Sequence, residues 1–156
     1  MTKLELATEI IQSAFAGKTD LAGQPYIDHL QRVCDNINKY LLNSYRSDQQ
    51  TVEEIGVIAL LHDLYEDCQN WTSDHIIPLF GSSVNTTVKT LTRTSNQSYD
   101  DYIEKIGQDI FAIIVKLADL EDNMNITRLS ELTEKDIKRL QKYYKAYRYL
   151  YQKLKG

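Results

Sequence analysis

The sequence predicts an all-α protein, a compact bundle of roughly seven to nine helices. Apolar residues recur at spacings of three and four along nearly the whole chain, which is the pattern of helices with one buried face. The 156 residues include only 6 Gly and 2 Pro, too few for the many turns of a sandwich or barrel. The length favours a single domain over residues 1–156.

The first half of the chain contains clear helix-start signals. Thr2 is a suitable cap for a first helix, and the stretch 17–23 is a plausible loop. Pro25 then opens a second helix, at a position where proline is tolerated. Thr51 and Glu54 form a predicted capping box before a third helix over Ile55–Leu64. That helix is apolar on nearly all sides, so we expect it to be central.

The second half continues the pattern. The stretch Asp109–Asp122 is strongly apolar and rich in β-branched residues, so alone it is also compatible with a buried strand. Its length favours a helix. Thr133 and Asp136 predict the cap of a last helix with a regular apolar seam. We expect short helices in between, from Thr72 or Ser73 to near Gly81, from Ser82 or Ser83 to about Thr92, and over Tyr99–Ile106.

Charge and composition exclude several classes of protein. The net charge of −4 argues against a dedicated nucleic-acid binder. Residues 135–155 carry eight Lys or Arg against one acid, but the apolar seam there makes packing the better explanation. No apolar run approaches the roughly 18 residues of a membrane span. Glu5 and Glu9 leave no signal-peptide core, so we expect a cytoplasmic protein. Cys34 and Cys68 are lone thiols, which argues against a disulfide scaffold.

Metal-ligand residue types occur at three places inside apolar, helix-like stretches. They are His29, the pair His62 and Asp63, and Asp119. Imidazole and carboxylate groups are costly to bury unless they are paired or bound to a metal. Three such positions in one small domain suggest that they converge on one ion. Two His and two Asp make a mixed nitrogen and oxygen site, which admits Mn²⁺ as well as other divalent metals.

Further polar residues follow the ligand candidates by one helical turn. Glu66 and Asp67 come four residues after His62 and Asp63, so on a helix they share a face with them. This placement suits a general acid and base, or groups that orient a water nucleophile. Asn123 follows Asp119 by the same spacing and is a candidate for substrate binding or for support of the ligand.

Each of these positions also has a purely structural interpretation. His29 alone is more often a hydrogen-bonded core histidine. His62 and Asp63 are also compatible with the polar end of a core helix, and Asp119 with an acidic helix end. These alternatives weaken when the three positions are considered together, because each lies next to strongly apolar residues. His75 has no such context, and we expect it on the surface.

The order of these motifs resembles the HD-domain metal-dependent phosphohydrolase superfamily, in the branch of the small stand-alone alarmone (guanosine tetraphosphate) 3′-pyrophosphohydrolases. Gly23-Gln-Pro-Tyr-Ile-Asp-His29 resembles the family's Gly-x-Pro-Tyr-x-x-His. Leu60-Leu-His-Asp-Leu-Tyr-Glu-Asp67 resembles Leu-Leu-His-Asp-x-x-Glu-Asp. Val115 to Asp119, with Asn123 and Met124, resembles Val-Lys-Leu-Ala-Asp-x-x-x-Asn-Met. The match covers most of the chain.

This resemblance implies an all-α fold and one Mn²⁺ held by His29, His62, Asp63 and Asp119. It implies that Glu66 and Asp67 act with a water at the metal, and that the reaction is hydrolysis of a pyrophosphate ester at a ribose 3′ position. The implied partner is a nucleotide substrate. Candidates for substrate binding are Asn123, Lys18 and Tyr143.

The chain departs from the family in the loop before His29. The alarmone hydrolases carry an Arg-Lys pair there, whereas this chain has Asp20 and Leu21. Two alternatives therefore stay open. One is a phosphatase on another phosphorylated nucleotide, such as the 2′-phosphate of NADPH. The other is a non-catalytic nucleotide-binding module.

Overall fold

The computed structural model describes residues 1–156 and confirms the all-α class. Eight helices have eight residues or more, which agrees with the predicted number, and two have a single turn. Extended pairing is limited to one isolated bridge between Thr19 and Pro25. The helices are α1 (Lys3–Ala14), α2 (Tyr26–Asn36), α3 (Asn43–Arg46), α4 (Gln49–Leu61), α5 (Leu64–Asp67), α6 (Ser73–Phe80), α7 (Ser82–Thr90), α8 (Tyr99–Ile106), α9 (Ile110–Asn123) and α10 (Glu134–Lys155).

Capping side chains set most helix starts as the sequence predicts. Thr2 caps α1 in a reciprocal capping box with Glu5, and Thr133 does the same for α10 with Asp136. The predicted capping box at Thr51 is wrong. Asp48 is the cap of α4, because its carboxylate accepts hydrogen bonds from the amides of Gln50 and Thr51 and from the Thr51 hydroxyl.

The predicted third helix is interrupted where the ligand candidates lie. α4 ends at Leu61, His62 and Asp63 form a turn, and α5 resumes at Leu64. The amide of Asp67 still donates to the carbonyl of Asp63 at 3.0 Å, so helical spacing survives locally.

Two helices form the centre of the molecule. Residues 55–61 of α4 are all buried, and α9 is buried over most of its length. The strand alternative for residues 109–122 is thereby excluded, since Asp109 caps a helix there. α2 packs against both α4 and α9, and α10 packs against α9 and α8. The three ligand-bearing segments therefore meet inside one core.

Other sequence expectations can be placed directly. No helix is long and apolar enough to span a membrane. Both cysteines are free thiols, with Cys68 buried and Cys34 half-buried. His75 is exposed, as expected, and its imidazole accepts a hydrogen bond from the amide of Thr72 in the cap of α6.

Gly81 joins α6 to α7 with a backbone φ of 93°. This conformation is nearly restricted to glycine, and an added Cβ would meet no atom within 4 Å. Gly81→Ala should therefore destabilise the protein through backbone strain alone, by about 1–3 kcal/mol. Urea unfolding followed by circular dichroism measures this, with exposed Ser83→Ala as the control, expected within about 0.5 kcal/mol of the parent. Equal stability of the two variants would contradict the assigned backbone strain.

Candidate metal centre

Four side chains from three segments converge at the middle of the fold. One ligand atom each from His29, His62, Asp63 and Asp119 lies within 4.8 Å of the others. His29 comes from α2, His62 and Asp63 from the turn after α4, and Asp119 from α9. The structure thus brings together all four predicted metal ligands. Their spacing and chemistry are compatible with a divalent metal.

The imidazole of His62 is oriented for coordination. Its Nδ1 donates to the carbonyl oxygen of Ala59 at 2.7 Å, which leaves the Nε2 lone pair facing inward. Nε2 is buried and has no hydrogen-bond partner. It lies 3.1 Å from Oδ2 of Asp63 and 3.3 Å from Oδ1 of Asp119. A nitrogen lone pair so close to two carboxylates is unfavourable unless a proton or a metal ion lies between them, and the donor set fits a metal ion.

The imidazole of His29 is held in the same way by a carboxylate. Nδ1 of His29 lies 2.7 Å from Oδ2 of Asp122, and Nε2 lies 3.0 Å from Oδ1 of Asp119. Asp122 is buried and is fixed by Nε of Arg32 at 2.8 Å and by Nη2 of Arg128 at 3.3 Å. A carboxylate behind a ligand histidine sets its tautomer and orientation.

The pKa values reflect the same concentration of charge. Burial alone would lower the pKa of His29, but the hydrogen bonds to Asp119 and Asp122 outweigh it and raise the pKa to about 9. Burial opposes ionisation of Asp122, yet His29 and Arg32 lower its pKa to about 2. A proton and a metal ion therefore compete for the same position.

Neighbouring side chains hold the carboxylate ligands. Lys116 donates to Oδ2 of Asp119 at 2.8 Å, and Asn123 donates to Oδ1 at 3.0 Å. The hydroxyl of Tyr26 donates to Oδ2 of Asp63 at 2.6 Å. Asn123 is therefore bonded to a candidate ligand, which is the contact that one of its two predicted roles requires. Because every carboxylate has a fixed partner, the cluster is preorganised.

Glu66 and Asp67 lie on α5 at the exposed side of the cluster. The amide of Arg93 donates to the Glu66 carboxylate. Partial desolvation raises the pKa of Glu66, and desolvation together with Asp63 raises that of Asp67. A raised carboxyl pKa suits proton transfer near neutral pH.

A cavity of about 360 Å³ opens beside His29 and Asp122. Asn123 and Tyr143, two of the predicted substrate-binding residues, line it together with polar and apolar side chains. Lys18, the third, does not line it. Its ammonium group contacts the carbonyl of Asp67 instead. The structure thus divides the three candidates between two sides of the cluster.

The divergent loop has a clear local structure. Oδ1 of Asp20 accepts hydrogen bonds from the amides of Ala22 and Gln24, each at 2.9 Å. Asp20 is thus occupied as a turn residue. Leu21 is 75% exposed and lies at the cavity. Position 21 therefore presents an apolar side chain, whereas the alarmone hydrolases that the sequence resembles have a basic residue there.

Sequence reasoning missed the contacts of three supporting groups, Asp122, Arg32 and Tyr26. Asp122 is predicted only as the end of an apolar helix, although Asp122 at three residues after Asp119 is a detectable signal on a helix face. Its partner Arg32 gives no such signal, because the pairing of α2 with α9 joins residues far apart in sequence. Tyr26 belongs to a recognised motif, but only the structure shows its bond to Asp63.

Comparisons with known proteins agree with the fold. No family model matches the chain, and no curated protein matches it. Among solved structures, one is described as a metazoan ortholog of SpoT that hydrolyzes ppGpp and plays a role in starvation responses. The similarity to it covers 100% of this chain and 87% of that chain, with a TM-score of 0.73 and 20% sequence identity. At this identity the likeness establishes a shared fold.

Removal of one candidate ligand should strongly weaken metal binding. His62→Ala deletes a nitrogen with no other partner, so we expect isothermal titration calorimetry with Mn²⁺ to show a loss of at least about 100-fold in affinity. His75→Ala is the matched control, because this exposed histidine caps α6 and should leave the affinity unchanged. Equal affinities in the two variants would refute the assigned ligand set.

Asp122 should increase the affinity for the metal without contacting the metal itself. Asp122→Asn removes the charge behind His29 and should weaken Mn²⁺ binding by about 10–100-fold. Calorimetry measures the loss, and Asp122→Glu tests whether a carboxylate restores it. Unchanged binding in Asp122→Asn would show that the carboxylate does not act through His29.

Proposed function

We propose that the protein is a metal-dependent phosphohydrolase that removes pyrophosphate from the 3′ position of a guanosine tetraphosphate-type nucleotide. The observation that carries this proposal is the four-ligand cluster with two further carboxylates, Glu66 and Asp67, at its open side. A structural metal site needs no additional acids beside it. The activity described for the solved structure of the same fold supports the proposal.

The metal in this proposal is Mn²⁺, held by His29, His62, Asp63 and Asp119. Two imidazoles with two carboxylates suit an ion that accepts both nitrogen and oxygen ligands. When bound, the ion would polarise the attacked phosphoryl group and make a water easier to deprotonate. The protein contributes orientation, since Ala59 and Asp122 fix the two imidazoles and Lys116 fixes Asp119.

Glu66 and Asp67 manage protons in this scheme. Both carboxyl groups have pKa values raised by partial burial and by neighbouring carboxylates, so each holds a proton more readily than a free carboxyl group does. The Arg93 amide keeps the Glu66 carboxylate in place. One carboxyl group accepts the proton of the attacking water, and the other donates to the leaving oxygen.

The cavity beside the metal ligands receives the nucleoside part of the substrate. Tyr143 and Leu21 provide apolar surface, and Asn123 provides a polar edge. The ammonium group of Lys18 contacts the carbonyl oxygen of Asp67. In this proposal the pyrophosphate departs on that side of the cluster, and the positive charge of Lys18 attracts it. The cytoplasmic location expected from the sequence belongs to this proposal as well.

The sequence left two alternatives, and one assay separates all three. A 2′-phosphatase would convert NADPH to NADH and inorganic phosphate. A non-catalytic module would bind a nucleotide and release no product. The exposed Leu21 at the cavity is the observation that keeps the NADPH alternative relevant, because it alters the surface that meets the nucleoside.

With Mn²⁺ present, the protein should convert ppGpp to GDP and pyrophosphate, as measured by anion-exchange separation of products. Glu66→Gln keeps the size of the side chain but replaces the carboxyl group with an amide that cannot accept or donate the transferred proton. Turnover should therefore fall about 10²–10⁴-fold while Mn²⁺ binding is retained. His75→Ala should retain full turnover. Asp119→Ala should lose both activity and metal.

Other outcomes of the same assay would support one of the alternatives or contradict the proposal. Binding of ppGpp without product would support the non-catalytic module, and phosphate release from NADPH alone would support the 2′-phosphatase. Retained turnover in Asp119→Ala would contradict the metal-dependent mechanism itself.

A further inference from the structure

A groove of about 410 Å³ lies between α8 and α10, apart from the metal centre. No residue that lines this groove also lines the cavity beside His29. Ile103 of α8 and Ala146 of α10 contribute its apolar surface, and each is only 5% exposed. The groove is therefore a separate surface of the molecule, which the proposed function does not use.

The two walls of the groove carry opposite charges. Asp100 and Glu104 line the wall formed by α8, and Lys142 and Lys145 line the wall formed by α10. All four side chains are exposed. None of the ion pairs in the structure includes any of them. Both walls therefore present charges that are available to a partner.

The same separation of charge extends along both helices. α8 contains three acids and one basic residue, Lys105. Residues 135–155 of α10 carry eight Lys or Arg against one acid, and seven of these eight cations are exposed because the apolar seam of α10 faces inward. An acidic strip that lies directly beside a basic strip is complementary to a second copy of itself.

Contacts between the two helices show how the strips are aligned. The ring of Tyr99, at the start of α8, lies 6.5 Å from the ring of Tyr143, between centroids. Gly107, at the end of α8, packs against Tyr149, since a Cβ added to Gly107 would lie 3.2 Å from Cε1 of that ring. The helices therefore run side by side in the same direction, with the acids of α8 and the lysines of α10 at similar heights along the groove.

A second copy of the chain matches these charges in one symmetric arrangement. A two-fold axis along the groove lays α8 of each copy over α10 of the other, so every acidic strip meets a basic strip. A two-fold axis across the groove would lay α8 on α8 and α10 on α10, so like charges would face each other. Charge complementarity thus selects the first arrangement.

An aromatic side chain adds contact area to this surface. Tyr149 is 36% exposed and rests against Gly107 at one end of the groove. Tyr99, at the other end, has its hydroxyl buried without a hydrogen-bond partner, so that hydroxyl is not available to a partner chain. Tyrosines such as Tyr149 are enriched in protein interfaces. With 22 residues, α10 is about 33 Å long, which suffices for an interface of about 800 Å² per copy.

We propose that the protein forms a two-fold symmetric homodimer through the groove between α8 and α10. In this dimer Glu104 of each copy faces Lys145 of the other. The inference goes beyond the proposed function, because it concerns a different surface and is tested by the mass of the particle.

Sedimentation velocity at low ionic strength measures the association. The parent protein should shift from monomer to dimer as its concentration rises and should form nothing larger, because a two-fold contact closes on itself. Glu104→Lys and Lys145→Glu should each weaken the dimer at least about tenfold, since each replaces two attractive contacts with two repulsive ones.

An equimolar mixture of the two variants is the decisive sample. In a mixed dimer both contacts again join opposite charges, so the mixture should dimerise at a concentration where each variant alone is monomeric. The double variant Glu104→Lys with Lys145→Glu should dimerise like the parent. Glu9→Lys on α1 and Lys89→Glu on α7 are matched controls, because they reverse exposed charges outside the groove, and both should dimerise like the parent.

Several outcomes would overturn the inference. One is a parent protein that stays monomeric at every concentration, and another is a mixture of the two variants that stays monomeric while the parent dimerises. A monomer that binds an oligonucleotide through Lys145 would assign the basic wall to nucleic acid instead. Circular dichroism of each variant should match that of the parent, since the substituted side chains are all exposed. Release of pyrophosphate from ppGpp is judged separately and does not depend on these results.

Discussion

The buried pairing of two imidazoles with two carboxylates is the constraint around which this fold is organised. His29 on α2 and Asp119 on α9 lie 3.0 Å apart, and His62 brings the end of α4 to the same point. Such groups are expensive to remove from water unless each one is compensated. Here the compensation comes from all three helices at once, so their relative positions are determined by polar contacts as well as by apolar packing. A shift of any one helix would leave a buried charge without a partner.

A second layer of residues makes that centre rigid. Asp122 lies between His29 and two arginines, while Lys116 and Tyr26 each hold one carboxylate ligand. None of these residues is needed to supply ligand atoms. They fix rotamers and tautomers, so that a metal ion would meet ligands already in place and lose little affinity to reorganisation. The cost is a dense network in which one missing member leaves others unsatisfied.

The sequence predicted the helices and singled out the four side chains that converge because both depend on local patterns. Helical periodicity, capping residues and motif spacing are all contained in short windows, and the ligands stand out as polar residues in apolar surroundings. The prediction was wrong at the cap of α4, where Asp48 competes better than Thr51 for the first amides. It also missed the break at His62, since a turn inside an apolar run has no glycine or proline to mark it. Arg32 and the unpaired hydroxyl of Tyr99 depend on contacts between distant segments, which no single window records.

The turn at Asp20 fixes the backbone of the loop independently of the side chain at position 21. The Asp20 carboxylate binds only backbone amides of its own loop, so the backbone path is maintained whatever side chain follows at position 21. Leu21 projects into solvent at the rim of the cavity and supports nothing behind it. Because Leu21 is 75% exposed, we expect the fold to tolerate substitutions there and the candidate metal ligands to stay in place. The ligand that this surface prefers is thereby free to change in evolution at one position while the four converging side chains stay under strong structural constraint, so one scaffold is able to acquire new ligands without rebuilding its centre.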